Sequence, residues 1–237
     1  YNDAILLVDF NSLYPSIIRE YDICFTTVKR EFVDLSFYLN EEKREEFEMR
    51  YKEPEEVALE HNSRILDSKR RDVCILPKIV KNLINRRKKI KKQLKHCKLQ
   101  EKSALNIKQL AYKLIANSIY GCLGFSSSRF YARPLAALVT YYGRNILKQS
   151  AEKVEGMNYE VVYGDTDSFM FYTRVSDIFK AIEIGVNIKT TINKQYKRKI
   201  LEIEIDGIFK TLLLHKKKKY AARCVTPLPE ITSTFKL

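Results

Sequence analysis

The stretch VVYGDTDSFMFYT at 161–173 constrains the fold more than any other, because two apolar runs meet there at a short polar bend. The runs on either side of the bend predict two strands whose faces are largely covered. The bend itself carries two carboxylates, Asp165 and Asp167. Since Gly and Asp are ordinary turn residues, the bend is either a solvated hairpin turn or a metal site, and a metal site needs ligands from elsewhere in the chain.

The overall charge indicates a polyanionic partner. The 237 residues include 43 Lys and Arg against 29 Asp and Glu, which gives a net charge of +14 and a pI of about 9.4. Such an excess of positive charge favours nucleic acid as a partner. A hydrophobic fraction of 45% is enough for a sizeable core, so the chain predicts one domain with an insertion, or two small domains.

Cysteine usage and hydropathy indicate an intracellular protein. The five cysteines are odd in number and widely spaced, without a CxxC pair, so we expect free thiols in a reducing compartment. No apolar run approaches the roughly 18 residues needed to cross a bilayer. We therefore expect a soluble protein that does not interact with membranes.

Charge is unevenly distributed along the chain. Residues 81–102 hold ten Lys or Arg and a single acid, whereas 41–60 is rich in Glu. We interpret 33–71 as a charged, variable surface excursion. Because the sequence starts at Tyr1 directly before an apolar strand and ends in a polar segment, we expect a piece of a longer protein.

The periodicity of apolar residues predicts an α+β fold in which helices cover one face of a sheet. Strands are predicted at 4–9, 159–163, 168–173, 200–205 and 208–214, and helices beginning near Pro77, Asn106, Pro134 and Ser176. The first two helices would form an antiparallel pair with a short polar connection. On the second, the apolar positions are Leu110, Ala111, Leu114 and Ile115, while Gln109, Lys113, Asn117 and Tyr120 form one continuous stripe.

A third carboxylate, Asp9, ends the first predicted strand in AILLVDFNSLYPSII. A lone Asp in that position is usually a helix cap. If the sheet brings Asp9 beside the hairpin bend, Asp9 and Asp167 would suit Mg²⁺, which prefers oxygen ligands and is commonly shared with substrate phosphates. Two such ions about 4 Å apart would serve a displacement at phosphorus.

Four motifs resemble those of family B DNA polymerases and occur in that family's order. They are DFNSLYPSII at 9–18, KLIANSIYG at 113–121, YGDTDS at 163–168 and KKKKY at 216–220. The resemblance covers nearly the whole chain apart from about 33–72 and the last dozen residues. It implies a palm from 1–73 and 121–224, a two-helix fingers insertion at 74–120, and a lead-in to a missing thumb at 225–237.

The resemblance also implies a role for each matching residue. The catalytic residues would be Asp9, Asp165 and Asp167, and the ligands of two Mg²⁺ ions would be Asp9, Asp167 and the Phe10 carbonyl. Backbone amides of Ser12 and Leu13 would hold nucleotide phosphates, and Tyr14 would exclude a 2′-hydroxyl. The remaining nucleotide contacts would be Arg87, Lys91, Lys113, Asn117 and Tyr120. The DNA contacts would be Lys217, Lys218, Lys219 and Tyr220, although a run of lysines is more often a solvated surface.

The implied function is template-directed DNA synthesis, in which a primer 3′-hydroxyl attacks a deoxynucleotide and pyrophosphate leaves. The similarity extends to eukaryotic replicative members, which implies a nuclear enzyme of replication initiation, with primer–template, dNTP, primase and accessory replication subunits as partners. Two alternatives stay open: another palm polymerase such as a reverse transcriptase, and a basic nucleic-acid-binding fragment without turnover. Tyr14 with KLIANSIYG favours family B over the first, and the three acids argue against the second.

Overall fold

The computed structural model describes residues 1–28, 57–58, 74–196 and 198–225. The predicted surface excursion at 33–71 lies outside these residues except for 57–58, and the predicted lead-in at 225–237 lies outside them except for residue 225. The elements in chain order are β1 Ile5–Phe10, α1 Leu13–Glu20, α2 Ile75–Leu94, α3 Leu99–Gly124, α4 Arg133–Glu155, β2 Glu160–Asp165, β3 Ser168–Tyr172, α5 Ile178–Asn193, β4 Ile203–Lys216 and β5 Lys219–Cys224.

The strands form one antiparallel sheet in the order β2-β3-β1-β4-β5, and the predicted α+β class is confirmed. The first strand in sequence therefore lies at the centre of the sheet. The pairing register shifts between Leu7 and Val8 and again within the two outer strand pairs. Because such irregularities increase the local twist, the sheet curls instead of lying flat.

Alternation along β1 divides its side chains between two covered faces. Helix α5 packs on the face that carries Leu6, and a Cβ at Gly185 would lie 3.1 Å from Leu6 Cδ1 and 2.8 Å from Ile205 Cδ1. Only glycine allows the helix to approach the sheet this closely. The opposite face holds a cluster of Ile5, Met170, Phe209 and Leu212, against which residues of both edge strands pack.

Two local predictions differ from the structure. The strands predicted at 200–205 and 208–214 form a single 14-residue strand, β4, which absorbs the interruption at Asp206 through its register shift against β1. Strand β5 begins within the lysine cluster, at Lys219, and is an edge strand that the sequence did not predict. The KKKKY cluster therefore lies at the turn of a β-hairpin, with Lys216 ending one strand and Lys219 beginning the next.

Helices α2 and α3 form the predicted pair, joined by a short connection at 95–98. The buried positions of α3 are Gln109, Ala116 and Leu123, whereas the apolar residues Leu110 and Leu114 are 44% and 66% exposed. Gln109 is thus a buried polar residue on the face that meets α2.

The chain divides into two compact units, one formed by Tyr1–Leu13 and Gly143–Leu237 and the other by Tyr14–Tyr142. The first unit contains the sheet and α5, and the second contains α2 and α3. The assignment of palm and fingers to these segments stays a prediction. Within the described residues, no helix combines the length and the apolar character that crossing a membrane requires.

Candidate functional site

Four polar side chains line up across one end of the sheet in the first unit. Ser168 pairs with Asp9 on one side and with Asp165 on the other, and Asp9 pairs in turn with Glu204. Paired residues in adjacent strands share a face, and neighbouring strands lie about 4.8 Å apart. Asp165, Ser168, Asp9 and Glu204 therefore form one row across β2, β3, β1 and β4.

The turn between β2 and β3 is tied to the end of β1 by the backbone. The Phe10 N–H donates to the Asp167 carbonyl at 2.9 Å, and the Asp167 N–H donates to the Asp165 carbonyl at 2.7 Å. Thr166 adopts a φ of 56°, which allows the chain to reverse in two residues. The carboxyl end of β1 and the bend with Asp167 thus meet at the same end of the sheet.

The electrostatic surroundings of Asp167 disfavour its ionised form. Burial raises the pKa of this carboxyl, the negative charge of Asp165 raises it further, and a backbone hydrogen bond opposes the rise. A bound cation would remove this penalty, since opposite charge favours the carboxylate. Asp167, which the sequence predicts as a metal ligand, therefore carries a negative charge that the surrounding protein compensates incompletely.

The donor set at this edge fits a hard divalent cation. Asp9 and Asp167 are both half-buried, and carboxylate and carbonyl oxygens are the ligands that Mg²⁺ prefers. In the part of the chain that the structure describes, no group of three or more His, Cys, Asp or Glu side chains is placed to hold a metal. One or two carboxylates are what Mg²⁺ commonly takes from a protein, with substrate phosphates and water as its other ligands.

The lysine hairpin between β4 and β5 reaches the same end of the sheet. The Lys218 N–H donates to the Tyr163 hydroxyl at 3.0 Å, and the rings of Tyr163 and Tyr220 lie 6.0 Å apart. The Lys218 ammonium nitrogen is 3.6 Å from Asp165 Oδ2. These contacts join strands from opposite ends of the sheet order, which is possible because the sheet curls.

Tyr163 is a residue that the sequence analysis missed. It stands in YGDTDS, but no spacing within the sequence predicts its contact with a turn 55 residues later. The predicted DNA-contacting residues Lys217, Lys218, Lys219 and Tyr220 are all exposed. Exposed lysines on a fixed turn are of the residue type that contacts the phosphates of a nucleic acid.

The second unit brings together two of the predicted nucleotide contacts. The rings of Tyr14, in α1, and Tyr120, in α3, have centroids 4.4 Å apart and are tilted by 42°. Such a distance is that of a packed aromatic pair. The position of the Tyr14 ring therefore depends on α3.

The other predicted nucleotide contacts of this unit differ in exposure. Lys91, Lys113 and Asn117 are exposed, whereas Arg87 is half-buried and its Nε donates to Gln109 Oε1 at 3.3 Å. Gln109 belonged to the predicted stripe on α3 but had no assigned role.

The predicted phosphate-binding amides stand at the start of α1. Ser12 has a φ of 49° and turns the chain from β1 into the helix, which begins at Leu13. The first amides of a helix lack intrahelical acceptors, and phosphates commonly bind there.

A family model, DNA polymerase family B, matches residues 1–233. The chain belongs to DNA polymerase family B. Family B enzymes generally use divalent metal ions. Membership confirms the resemblance drawn from the four motifs.

Within family B, the chain is similar to the catalytic subunits of DNA polymerase alpha. It is 47% identical to that of mouse and 49% identical to that of Xenopus laevis, each over 229 residues that cover 96% of this chain and 14% of the relative. It is 46% identical to that of Drosophila melanogaster over 224 residues, which cover 94% of this chain and 13% of the fly protein. The chain thus spans only 13% to 14% of the length of these relatives.

Proposed function

We propose that this chain carries the nucleotidyl-transfer site of a DNA-directed DNA polymerase. The observation that supports the proposal best is the meeting of Asp9 and the Asp165–Asp167 bend at one end of a rigid sheet. Membership of family B supports nucleotidyl transfer as the chemistry of this arrangement, since the relatives are named as catalytic subunits of a DNA polymerase.

Asp9 and Asp167, with the Phe10 carbonyl, would hold two Mg²⁺ ions shared with the phosphates of the incoming nucleotide. When bound, these ions would neutralise phosphate charge and make the primer 3′-hydroxyl more acidic. The protein's own task would be to hold the carboxylates in place before substrate arrives. The backbone hydrogen bond from the Phe10 N–H to the Asp167 carbonyl supports this role, because it ties the bend to the end of β1. Asp165 would support the site by balancing the nearby charge of Lys218.

The nucleotide would be bound by backbone amides, cationic side chains and aromatic rings. Ser12 and Leu13 amides and the side chains of Arg87, Lys91, Lys113 and Asn117 would bind the triphosphate. Tyr14, supported by the ring of Tyr120, would leave no room for a ribose 2′-hydroxyl. Tyr120 would also contact the nascent base pair.

The β4–β5 hairpin would bind the primer–template duplex near the primer end. Its lysines are exposed, and the Tyr163 hydroxyl fixes their turn. Contacts of this kind position a duplex without reading its sequence.

The similarity to the catalytic subunits of DNA polymerase alpha supports a place in nuclear replication initiation. We extend the proposal accordingly to a nuclear enzyme that acts with primase and accessory replication subunits.

Primer extension with Mg²⁺ tests the proposal. The full chain should extend a primer on a DNA template, and Asp167→Asn should lower the rate at least about 100-fold, because charge stabilisation at the reacting phosphate is lost. The matched control is Asp206→Asn, an exposed aspartate of β4, which should extend at the parental rate.

Three results would contradict the proposal. Equal extension by the parent and Asp167→Asn would remove the metal assignment. Retention of DNA by a parent that incorporates nothing would indicate a binding fragment. A strong preference for an RNA template would indicate a reverse transcriptase.

A further inference from the structure

One arginine of α2 differs from the other basic residues of the helix. Of the eight Lys and Arg residues in α2, seven are exposed and Arg87 alone is half-buried. A solvated charge run has no reason to bury one of its members, because burial costs a cation solvation and side-chain entropy. Arg87 therefore has a partner that offsets this cost.

The partner is Gln109 on α3. Its Oε1 accepts from Arg87 Nε at 3.3 Å, and its Nε2 donates to Asn106 Oδ1 at 3.0 Å. Gln109 is 8% exposed, so its amide cannot exchange these bonds for water without cost. The bond to Asn106 also determines which end of the amide faces Arg87, since the nitrogen is already used as a donor.

The atom of Arg87 that is held matters for what the residue can bind. A bond through Nε uses one of the five N–H donors of the guanidinium and leaves the four on the terminal nitrogens for another acceptor. Those four donors form the planar fork that grips phosphate oxygens in pairs. A glutamine acceptor orients the guanidinium without cancelling its charge, whereas a carboxylate would cancel it.

We infer that Gln109 is a positioning residue that presents Arg87 to the phosphates of the incoming nucleotide. The inference rests on the proposed function, which makes Arg87 a triphosphate contact. It separates Arg87 from the seven exposed Lys and Arg residues of α2. The alternative is a purely structural role, in which the hydrogen bonds that link Asn106, Gln109 and Arg87 hold α2 and α3 together.

A double-mutant cycle on nucleotide affinity distinguishes the two roles. The full chain is bound to a primer–template whose primer ends in a dideoxynucleotide, so that transfer is blocked and the dissociation constant of the dNTP is measured directly. Gln109→Met keeps the size and helix preference of the side chain but removes the acceptor. It should weaken dNTP binding about five- to tenfold, and Arg87→Ala about tenfold or more, which are the losses expected for one charged hydrogen-bonding group. In the Arg87→Ala background, Gln109→Met should have no further effect, because its only route to the nucleotide has been removed.

Gln100→Met, at an exposed position of the same helix, is the matched control and should bind dNTP as the parent does. Gln109→Glu provides a second variant if Gln109→Met does not fold. It keeps an acceptor for Nε but loses the N–H donor to Asn106 Oδ1, and it should weaken dNTP binding by neutralising the guanidinium.

Several results would overturn the inference. A Gln109→Met protein with a lower thermal midpoint but parental dNTP affinity would show a purely structural contact, as would equal effects of Gln109→Met with and without Arg87. Parental affinity in Gln109→Glu would do the same. Parental affinity in Arg87→Ala would remove Arg87 from the proposed nucleotide contacts as well, and primer extension by that variant would then show that the polymerase proposal survives.

Discussion

At the residue scale, Asp167 shows the cost of burying part of a carboxylate beside a second acid. Burial and the charge of Asp165 raise its pKa, so the folded state holds the proton more tightly than the unfolded state does. The contribution of this carboxyl to the free energy of unfolding is therefore fully present below its unfolded-state pKa. That contribution is lost as the pH rises through the folded-state pKa.

Asp167→Asn should remove this loss. In the presence of a chelator at neutral pH, the variant should unfold at a higher temperature than the parent, because no buried charge has to be maintained. Added Mg²⁺ should raise the thermal midpoint of the parent and leave that of the variant nearly unchanged. Thermal unfolding from about pH 3.5 to 8 with and without Mg²⁺ measures both effects, and a variant less stable than the parent in chelator would contradict the assigned cause.

Tyr14 is the residue that we propose selects the sugar. Its ring is packed 4.4 Å from that of Tyr120, so it cannot move aside freely. Tyr14→Ala should raise ribonucleotide incorporation by at least about tenfold relative to deoxynucleotides, whereas Tyr14→Phe keeps the ring and should retain discrimination. Single-nucleotide incorporation with paired dNTP and rNTP measures the ratio, and unchanged discrimination in Tyr14→Ala would remove the steric role.

At the element scale, the β4–β5 hairpin illustrates what the sequence could and could not reveal. The motif KKKKY predicted cationic contacts, but the strand that follows it was missed, since KYAARC is short and alternates weakly. The anchoring of its turn by Tyr163 depends on the curl of a five-stranded sheet, which results from register shifts that local patterns do not encode. By contrast, the hairpin at Asp165 was readable because apolar runs and turn residues adjoin in sequence.

Helix α3 gives a second example. Its helical character was predicted, but its exposed Leu110 and Leu114 show that apolar residues at helical spacing do not always mark the buried face. The buried position is instead held by Gln109, a polar residue satisfied by side chains on both helices. Such a network is visible only when the two helices are placed together.

Tyr163→Phe should loosen the hairpin turn and weaken duplex binding through Lys218. The slope of log affinity for primer–template against log salt concentration should become shallower by about 0.9, because one phosphate contact is lost. Lys218→Met should change the slope by the same amount. The matched control is Tyr172→Phe. Tyr172 lies on β3 of the same sheet, and its hydroxyl donates to Asp3 Oδ2 at 2.6 Å. Affinity measured from about 50 to 200 mM salt tests this, and a parental slope in Tyr163→Phe would separate the hydroxyl from DNA binding.

At the scale of the whole molecule, the periodicity of apolar residues predicted the α+β class, and four separated motifs in a fixed order predicted the family. The sequence also indicated that a metal site would need Asp9 beside the hairpin bend, and the sheet order β2-β3-β1 places the two at one end of the sheet. The lateral neighbour Glu204 was harder to assign, since alternating acids along a strand are as typical of a polar surface as of a site.

Asp9 and Asp167 are the residues that we propose hold divalent cations together. The binding of Mn²⁺, a spectroscopic substitute for Mg²⁺, tests this most directly. It is measured on the full chain in complex with primer–template and dNTP. The parent is compared with Asp9→Asn, with Asp167→Asn and with a surface control, Glu152→Gln on α4. Both aspartate variants should bind Mn²⁺ at least about tenfold more weakly, and the control should bind it as the parent does. Parental Mn²⁺ affinity and stoichiometry in both aspartate variants would contradict the proposal.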